Sequence, residues 1–563
     1  MRKTAYKKIN TIVSLMFIMV LAGLLLSCKK DQPPGHNADL AAPQFSIDLV
    51  EVKTGDLPGL HSAAYAVSEG KWLFAGGRID GVHKFVHSSN GGTEPPTNAF
   101  PATEANTALW VIDPSKPQKA WSSPLSALPE KIAAHLSSTN TQYYQDGDTL
   151  FIVGGYGHNN GNDMVTHSEL TAIKVKETID AIINGQPVAD YIQQIDSFTD
   201  CPGYADNEYK SCAAKISCET GPGWEECMKQ GQAQCRTSQD ESLNHCIDKV
   251  QNNDRQEFKD FKTSYYSKVT GGGMRKVGDV YYLVFGQQFD GLYSDNAGDY
   301  GKWPINQVYT ESITAFHFQA DPLSGDVLRV IKQDPALQEQ PYHRRDLNVV
   351  DAMAPDGSAR IAVLGGVFKP GETLAYEKPI LIDHGEKVMD TTVSVVENYQ
   401  QKMSQYETAS VGLYSRTADS VNMMRIFLGG ISMYKLDTAS QKVVYDKNAP
   451  FIADITVLSH HQDKQTGKTT WSEYVRAKPM DYYLGADGEF IINPALKASD
   501  ADLIDYDKIK SKTLLGHMYG GILASKPQSG SSSGAGSTAS NKIFEVWLTP
   551  TAPAPSYWVN ANP

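Results

Sequence analysis

Trp72-Leu73-Phe74-Ala75-Gly76-Gly77 is a short apolar run ending in two glycines, and the same design returns along the chain. It recurs at Leu150-Phe151-Ile152-Val153-Gly154-Gly155, at Arg360-Ile361-Ala362-Val363-Leu364-Gly365-Gly366 and at Arg425-Ile426-Phe427-Leu428-Gly429-Gly430. Two degenerate copies complete the series: Tyr281-Tyr282-Leu283-Val284-Phe285-Gly286-Gln287, which has lost one glycine, and His517-Met518-Tyr519-Gly520-Gly521. An apolar run closed by glycines reads as a buried strand that ends where the backbone needs positive φ or close approach. Recurrence at intervals of 78, 131, 80, 64 and 91 residues between second glycines means one structural unit built six times.

Each unit holds more than its glycines. His61-Ser62-Ala63-Ala64-Tyr65-Ala66-Val67 precedes the first copy as a small-residue strand, joined to it by Ser68-Glu69-Gly70; Asp146-Gly147-Asp148 makes the same turn in the second. A third strand follows each loop, as in Leu109-Trp110-Val111-Ile112, and a fourth is marked by Trp121, by Ile192-Gln193-Gln194-Ile195 and by Trp471-Ser472-Glu473-Tyr474-Val475. Four strands per unit predict an all-β chain of propeller blades.

The first unit resembles kelch-repeat propellers: its glycine pair is followed, in that family's order, by Leu109-Trp110-Val111-Ile112-Asp113-Pro114 and Trp121. The resemblance spans residues 45–550 and implies six blades, each longer than the roughly 50 residues of a compact kelch unit. A strand pair within 482–494 that fits no copy leaves room for a seventh. Either 45–50 or 543–548 is expected to close the ring, with Trp110, Trp121 and Trp471 packing between blades. Residues 551–563 read as a C-terminal tail.

The 563 residues are 41% hydrophobic and 20% charged, which excludes disorder. A formal charge of −13 argues against nucleic acid as a partner. Residues 1–27 carry Arg2, Lys3, Lys7 and Lys8, then an apolar run from Ile12 to Leu26 too short to span a bilayer, and read as a secretory signal. Leu25-Leu26-Ser27-Cys28 resembles the lipobox of bacterial lipoproteins, which implies cleavage before Cys28 and lipid on its sulfur. The tether over 28–44, with Lys29-Lys30-Asp31, resembles the start of Bacteroidetes lipoproteins. The address implied is the outer membrane, at the cell surface or its periplasmic face. Cleavage would take the charge from −13 to −17 by removing four basic residues and no acidic ones.

Six cysteines remain, Cys201, Cys212, Cys218, Cys227, Cys235 and Cys246, all inside a polar, helix-leaning insertion over 199–262. An even number in an exported chain predicts three disulfides, with the pairing open. The spacing offers no CxxC pair for a metal.

In a propeller, the loops from second to third strand share a face with the connections between blades. The long insertions over 78–104, 156–169 and 287–311 and the cysteine-rich segment all belong to those two classes, so that face is expected to bind. Arg78, His158, Tyr293, Tyr300 and Trp303 are its candidate residues. His61, His135, Lys268, His343, Arg344, Arg345 and Glu407 fall near first strands and are candidates for the channel mouth, where a bidentate Arg suits a carboxylate. Pairing of Arg344 and Arg345 with Asp346 and neighbouring-blade acids is the favoured reading of these two arginines.

No residue is assigned as catalytic, and no cofactor is implied beyond the lipid on Cys28. Asp290, Asp295 and Asp299 are candidate Ca²⁺ ligands, but they lack the alternation of an EF-hand loop, so solvated turns are the favoured reading and no metal is assigned. Two functions follow as expectations. The first is a non-catalytic outer-membrane lipoprotein whose loop-rich face binds or scaffolds an envelope protein. The alternative is a glycan-binding or sugar-processing propeller that uses the channel, similar to sialate mutarotases in fold and in its Arg/His/Glu-lined channel.

Overall fold

The computed structural model describes residues 42–562 except 84–98, 196, 260, 262–264, 294–304, 320–323, 333–340, 371–374, 498–500 and 529–535. The signal segment, Cys28, most of the tether, Asp295, Asp299, Tyr300 and Trp303 therefore lie outside the described residues.

Strands dominate, and the chain is all-β and propeller-like. Among the described residues six sheets, mainly antiparallel, hold four or more strands each, and four more hold two. Sheet one runs Ala64–Ser68, Lys71–Ala75, Ala108–Ile112, Ala120–Pro124 from its inner to its outer edge. Its first hairpin turns through Glu69 and Gly70 with φ of 49° and 76°, a two-residue turn whose twist suits antiparallel strands. Sheets two to five repeat the meander, with inner strands Gln142–Asp146, Gly273–Val277, Asn348–Met353 and Ser410–Arg416. Sheet six takes Gly488–Ile492, Thr513–Gly520 and Ile543–Thr549 from the C-terminal part, and its outer strand is Ser46–Val52. Both termini thus join one sheet, where sequence reasoning expected a choice between them. The pair within 482–494 resolves as the inner strand of that sheet.

Apolar side chains fill the space between neighbouring sheets. Leu73, Val111, Leu150 and Ile173 join sheets one and two, and equivalent clusters join two to three, three to four, four to five and five to six. Trp72, Phe74, Ile491 and Tyr519 then join sheet six to sheet one, so the order is cyclic. Trp110, Trp121 and Trp471 sit in three of these interfaces.

The repeated glycines make the joints. Both members of each pair have positive φ, and in the degenerate third copy Phe285 takes that conformation at 56°. The second glycine of each sheet donates its N–H to a carbonyl of the next: Gly77 to Ser138, Gly155 to Val269, Gly286 to Arg344, Gly366 to Gln405, Gly430 to Leu484 and Gly521 back to Leu60, at 2.7–3.0 Å. A Cβ on Gly154 would lie 1.9 Å from the Val269 carbonyl oxygen, so the first glycine leaves room for that carbonyl to approach.

The cysteine-rich segment forms two helices, counted third and fourth after α1 (Glu130–Leu136) and α2 (Val175–Ile183): α3 (Cys201–Ala213) and α4 (Trp224–Gln251). Asp200 caps α3 by accepting from the Gly203 N–H at 2.8 Å. Three nested disulfides, Cys201–Cys246, Cys212–Cys235 and Cys218–Cys227, staple the hairpin, which buries little else of its own. The hairpin does not stand on the loop-rich face. Ser197–Asp200 pairs in parallel with Ser324–Val327 at the outer edge of sheet three and directs the helices across that edge. Ile247, Val250 and Phe258 there join the core between sheets three and four, and Arg255 bonds the wholly buried Asp326 at 2.7 Å. The C-terminal segment is not a free tail either: Trp558–Asn560 adds a strand to sheet five, and buried Trp558 donates its indole N–H to Phe45 O at 3.0 Å.

Candidate functional site

A second circuit of backbone hydrogen bonds lies at the axis, where each inner strand begins. Ser62 N–H donates to Asp487 O, Asn140 to Ser62, Gly271 to Asn140, Asp346 to Gly271, Glu407 to Asp346 and Asp487 to Glu407, at 2.7–3.3 Å. Five of these six residues have φ between 50° and 68°, which explains the small or short polar side chains Ser62, Asn140, Gly271, Asp346 and Asp487. A cluster of buried polar residues and a cavity lie along the axis on either side of this belt.

On the side of the glycine pairs and long loops, His61, Arg345 and Asp487 come together from three sheets, each less than a tenth exposed. His61 Nδ1 lies 4.0 Å from Asp487 Oδ2 and 3.0 Å from Ser62 Oγ. Arg345 donates to the Tyr293 hydroxyl at 2.7 Å and lies over Phe368 at 4.3 Å and Tyr293 at 5.5 Å, while its Nε is 3.4 Å from Asp346. Arg78 forms a bidentate pair with Asp80, 2.8 Å for each bond, and Asp80 is 3.8 Å from His61 Nε2. Burial lowers the His61 imidazole, so it is neutral near pH 7. Burial, then the Asp346 charge, push Asp487 up to about 8. A neutral imidazole beside a protonated carboxyl is an acceptor–donor pair at neutral pH. His61 Nε2, Arg345 Nε and Asp487 Oδ1 are buried with no hydrogen-bond partner among the described residues.

On the opposite side of the belt is a cavity of 360 Å³, reached by residues from all six sheets and open at the other end of the strands. Tyr65, Tyr143, Arg275, Glu407 and Glu489 line it. Glu407 belongs to the belt through its backbone and to the cavity through its side chain.

Of the candidates read from sequence, His61, Arg345, Glu407, Arg78 and Tyr293 gather at the axis. The others do not. His135 belongs to α1, inserted before the second inner strand, and its ring bonds Thr171 Oγ1 at 2.7 Å and Gly154 O at 2.9 Å. Lys268 precedes belt residue Gly271 by three positions and pairs with Asp290 at 2.7 Å. His343 stacks on Tyr309 at 3.6 Å and bonds Glu311 at 2.6 Å. Arg344 turns away from the axis: it donates to the carbonyls of Pro341, Gly365 and Lys378 at 2.5–2.9 Å and lies over Tyr376. His158 stays in its own ribbon, 3.3 Å from Asn162 O. Asp290, the described member of the acidic loop, is held by Lys268 and by the Thr166 N–H. Among the described residues no group of three or more His, Cys, Asp or Glu is arranged to hold a metal ion.

Sequence reasoning named Asp346 as a partner for the arginines, and Arg345 pairs with it at 3.4 Å, but it missed Asp487, Arg275 and Glu489. One signal was available: Ser62, Asn140 and Gly271 each stand fifteen residues before the second glycine of their unit. Longer inserts break that count in the other units and hide Asp487.

A scan against protein-family models finds no match, and a search of curated proteins finds none either. Among solved structures the chain is similar to that described as YjhT, at 10% identity and a TM-score of 0.36, over 86% of this chain and 98% of that one. No residue role is taken from it.

Proposed function

We propose that the six sheets are the blades of a kelch-type propeller, carried by an exported lipoprotein anchored at Cys28 in the outer membrane, and that the loop side of its axis binds a small acidic saccharide. The observation that carries this reading is a set of three buried polar atoms from three sheets around one axis, His61 Nε2, Arg345 Nε and Asp487 Oδ1, that have no hydrogen-bond partner among the described residues, with Asp80 3.8 Å from the first and Asp346 3.4 Å from the second. Buried polar atoms without partners are costly, and a ligand or ordered water that bonds all three removes the cost. Arg345, lying over the rings of Tyr293 and Phe368, supplies the counter-charge for a carboxylate. His61 and protonated Asp487 suit hydroxyls as acceptor and donor.

Isothermal titration with glucuronate and N-acetylneuraminate, against glucose as the uncharged control, tests the reading. At least one acid should bind tenfold or more tighter than glucose, and Arg345→Ala, shown folded by circular dichroism, should abolish that preference. Equal binding of acid and glucose, or a preference that survives Arg345→Ala, rejects it.

A second reading is a protein partner in the envelope docked on the disulfide-stapled hairpin. It is favoured by the placement of α3 and α4 at the rim, with Trp224 43% exposed.

A further inference from the structure

The three disulfides of the hairpin differ in what surrounds them, and the difference is graded along its length. Cys201 and Cys246 at the base are both fully buried, beside Ile247, Val250 and Phe258 in the core between sheets three and four. In the middle bond Cys235 is 2% exposed and Cys212 is half-buried. At the tip Cys218 is half-buried and Cys227 is exposed.

The segment closed by the tip bond projects into solvent. Every residue from Glu219 to Cys227 is exposed. Gly221 and Gly223 have positive φ, and a Cβ on either would meet nothing within 4 Å. The backbone bonds there are local: Trp224 N–H donates to Gly221 O at 3.1 Å and Cys227 N–H to Gly223 O at 3.0 Å. Deeper in the hairpin the two arms close on each other. A Cβ on Gly231 would lie 2.9 Å from the Ile216 side chain, and Gln239 donates to Asp206 across the hairpin at 2.6 Å. Ile216 and Gly231 stand between the tip and middle bonds on both arms, so the close packing begins just below Cys218–Cys227.

We infer that Cys218–Cys227 is a thiol–disulfide exchange site, opened by a dithiol in the surrounding solvent while the other two bonds stay intact. Exchange needs a sulfur that a thiolate can reach, and of the six cysteines in the hairpin Cys227 alone is exposed. The incoming thiolate attacks Cys227 Sγ and forms a mixed disulfide as the bond to Cys218 breaks and Cys218 leaves as the thiolate. The second thiol of the same reagent then displaces Cys227. The dithiol ends as its own disulfide, oxidised by two electrons, and both cysteines end as thiols carrying the two protons it gave up. Opening disturbs little packing, because the segment it frees is exposed throughout. Closing is favoured because Cys212–Cys235 keeps the arms together. The change is confined to the tip, where Trp224 and the first turn of α4 lose their covalent tie to Cys218. The exchange depends neither on the axial residues nor on the lipid anchor.

The full mature chain, oxidised and folded, is incubated with dithiothreitol in native buffer, quenched at intervals with iodoacetamide and mapped by peptide mass spectrometry. Cys218 and Cys227 should be alkylated about tenfold or more faster than the other four cysteines, with circular dichroism unchanged. The double variant Cys218→Ser, Cys227→Ser should lose that fast phase and keep the two slower bonds. Transfer of the partly reduced chain into oxidised glutathione should restore the tip bond. Cys212–Cys235 opening as fast as the tip, all three bonds opening together only when urea unfolds the chain, or a tip bond that does not re-form overturns the inference.

Discussion

Glu473→Gln should flatten the pH dependence of stability, because Glu473 is a buried acid with a circumscribed set of partners. It stands in the fourth strand of sheet five, wholly buried, and accepts from the backbone N–H groups of Lys402 at 2.9 Å and Met403 at 3.0 Å and from the Tyr399 hydroxyl at 3.3 Å. Burial outweighs those donors and pushes its carboxyl from the usual 4.5 up to about 7. The folded chain then keeps a proton that the unfolded chain loses above pH 4.5, so this contribution is complete below that pH and is lost as pH rises through 7. Between pH 5 and pH 8 the loss is roughly 2 to 3 kcal/mol, at 1.36 kcal/mol per pKa unit. Glutamine does not titrate; its amide opposes one N–H donor and costs about 1 to 3 kcal/mol at every pH. Equilibrium urea unfolding at pH 5, 6, 7 and 8 reads both effects. The variant should be the weaker protein at pH 5, and the gap should close by roughly 2 to 3 kcal/mol at pH 8. Other titrating groups are common to both proteins and cancel in the difference, so parallel profiles would refute the reasoning.

Two further outcomes are expected. Gly154→Ala should cost several times more than Gly147→Ala: both glycines have positive φ, but a Cβ meets the Val269 carbonyl at 1.9 Å in the first case and nothing within 4 Å in the second. Left-handed strain alone is worth about 1 to 2 kcal/mol, so similar melting shifts would show that the glycine pairs do not make the joints between sheets. Replacing Cys201 and Cys246 by serine removes the disulfide that spans 45 residues, about 4 kcal/mol of loop entropy, and should speed proteolysis within 201–251. If the hairpin docks an envelope protein, that variant loses the partner that co-purifies with the intact lipoprotein from membranes; retention by a hairpin shown to be loosened speaks against it.

The repeat was legible because its chemistry is local. A glycine pair after an apolar run is demanded by backbone geometry wherever the unit occurs, and six copies read from sequence coincide with six sheets. The third copy was readable despite its missing glycine because the apolar run and Gly286 remain, although nothing local announced that Phe285 would take a positive φ. The site was less legible, because it is made by juxtaposition. Arg344 and Arg345 are adjacent and chemically alike, yet one turns toward three carbonyls off the axis and the other toward Tyr293. That choice is made by Tyr376 and Phe368, which come from another strand connection. His135 misled because a helix was inserted ahead of its strand, shifting the count to Asn140. The hairpin was rightly assigned to the connection between sheets two and three, but connectivity does not fix direction; the parallel pairing of Ser197–Asp200 does.

Closure of the cycle is carried by main-chain atoms alone. One circuit runs from the second glycines and one through Ser62, Asn140, Gly271, Asp346, Glu407 and Asp487. Neither circuit needs a charged side chain, since serine, asparagine and glycine serve at three of the six axial positions. Asp346, Glu407 and Asp487 nevertheless stand at the other three, and each has its carboxyl raised by burial. A raised carboxyl is a group whose ionised form is opposed by its surroundings, so these acids weaken the fold at neutral pH compared with neutral residues of similar size. Arg345 compensates Asp346 directly, at 3.4 Å, but Asp487 faces a neutral imidazole and Glu407 faces an open cavity. Under the proposed function, a ligand on the axis is what these carboxyls would meet. This unmet polarity lies along the axis, where the inner strands of all six sheets meet.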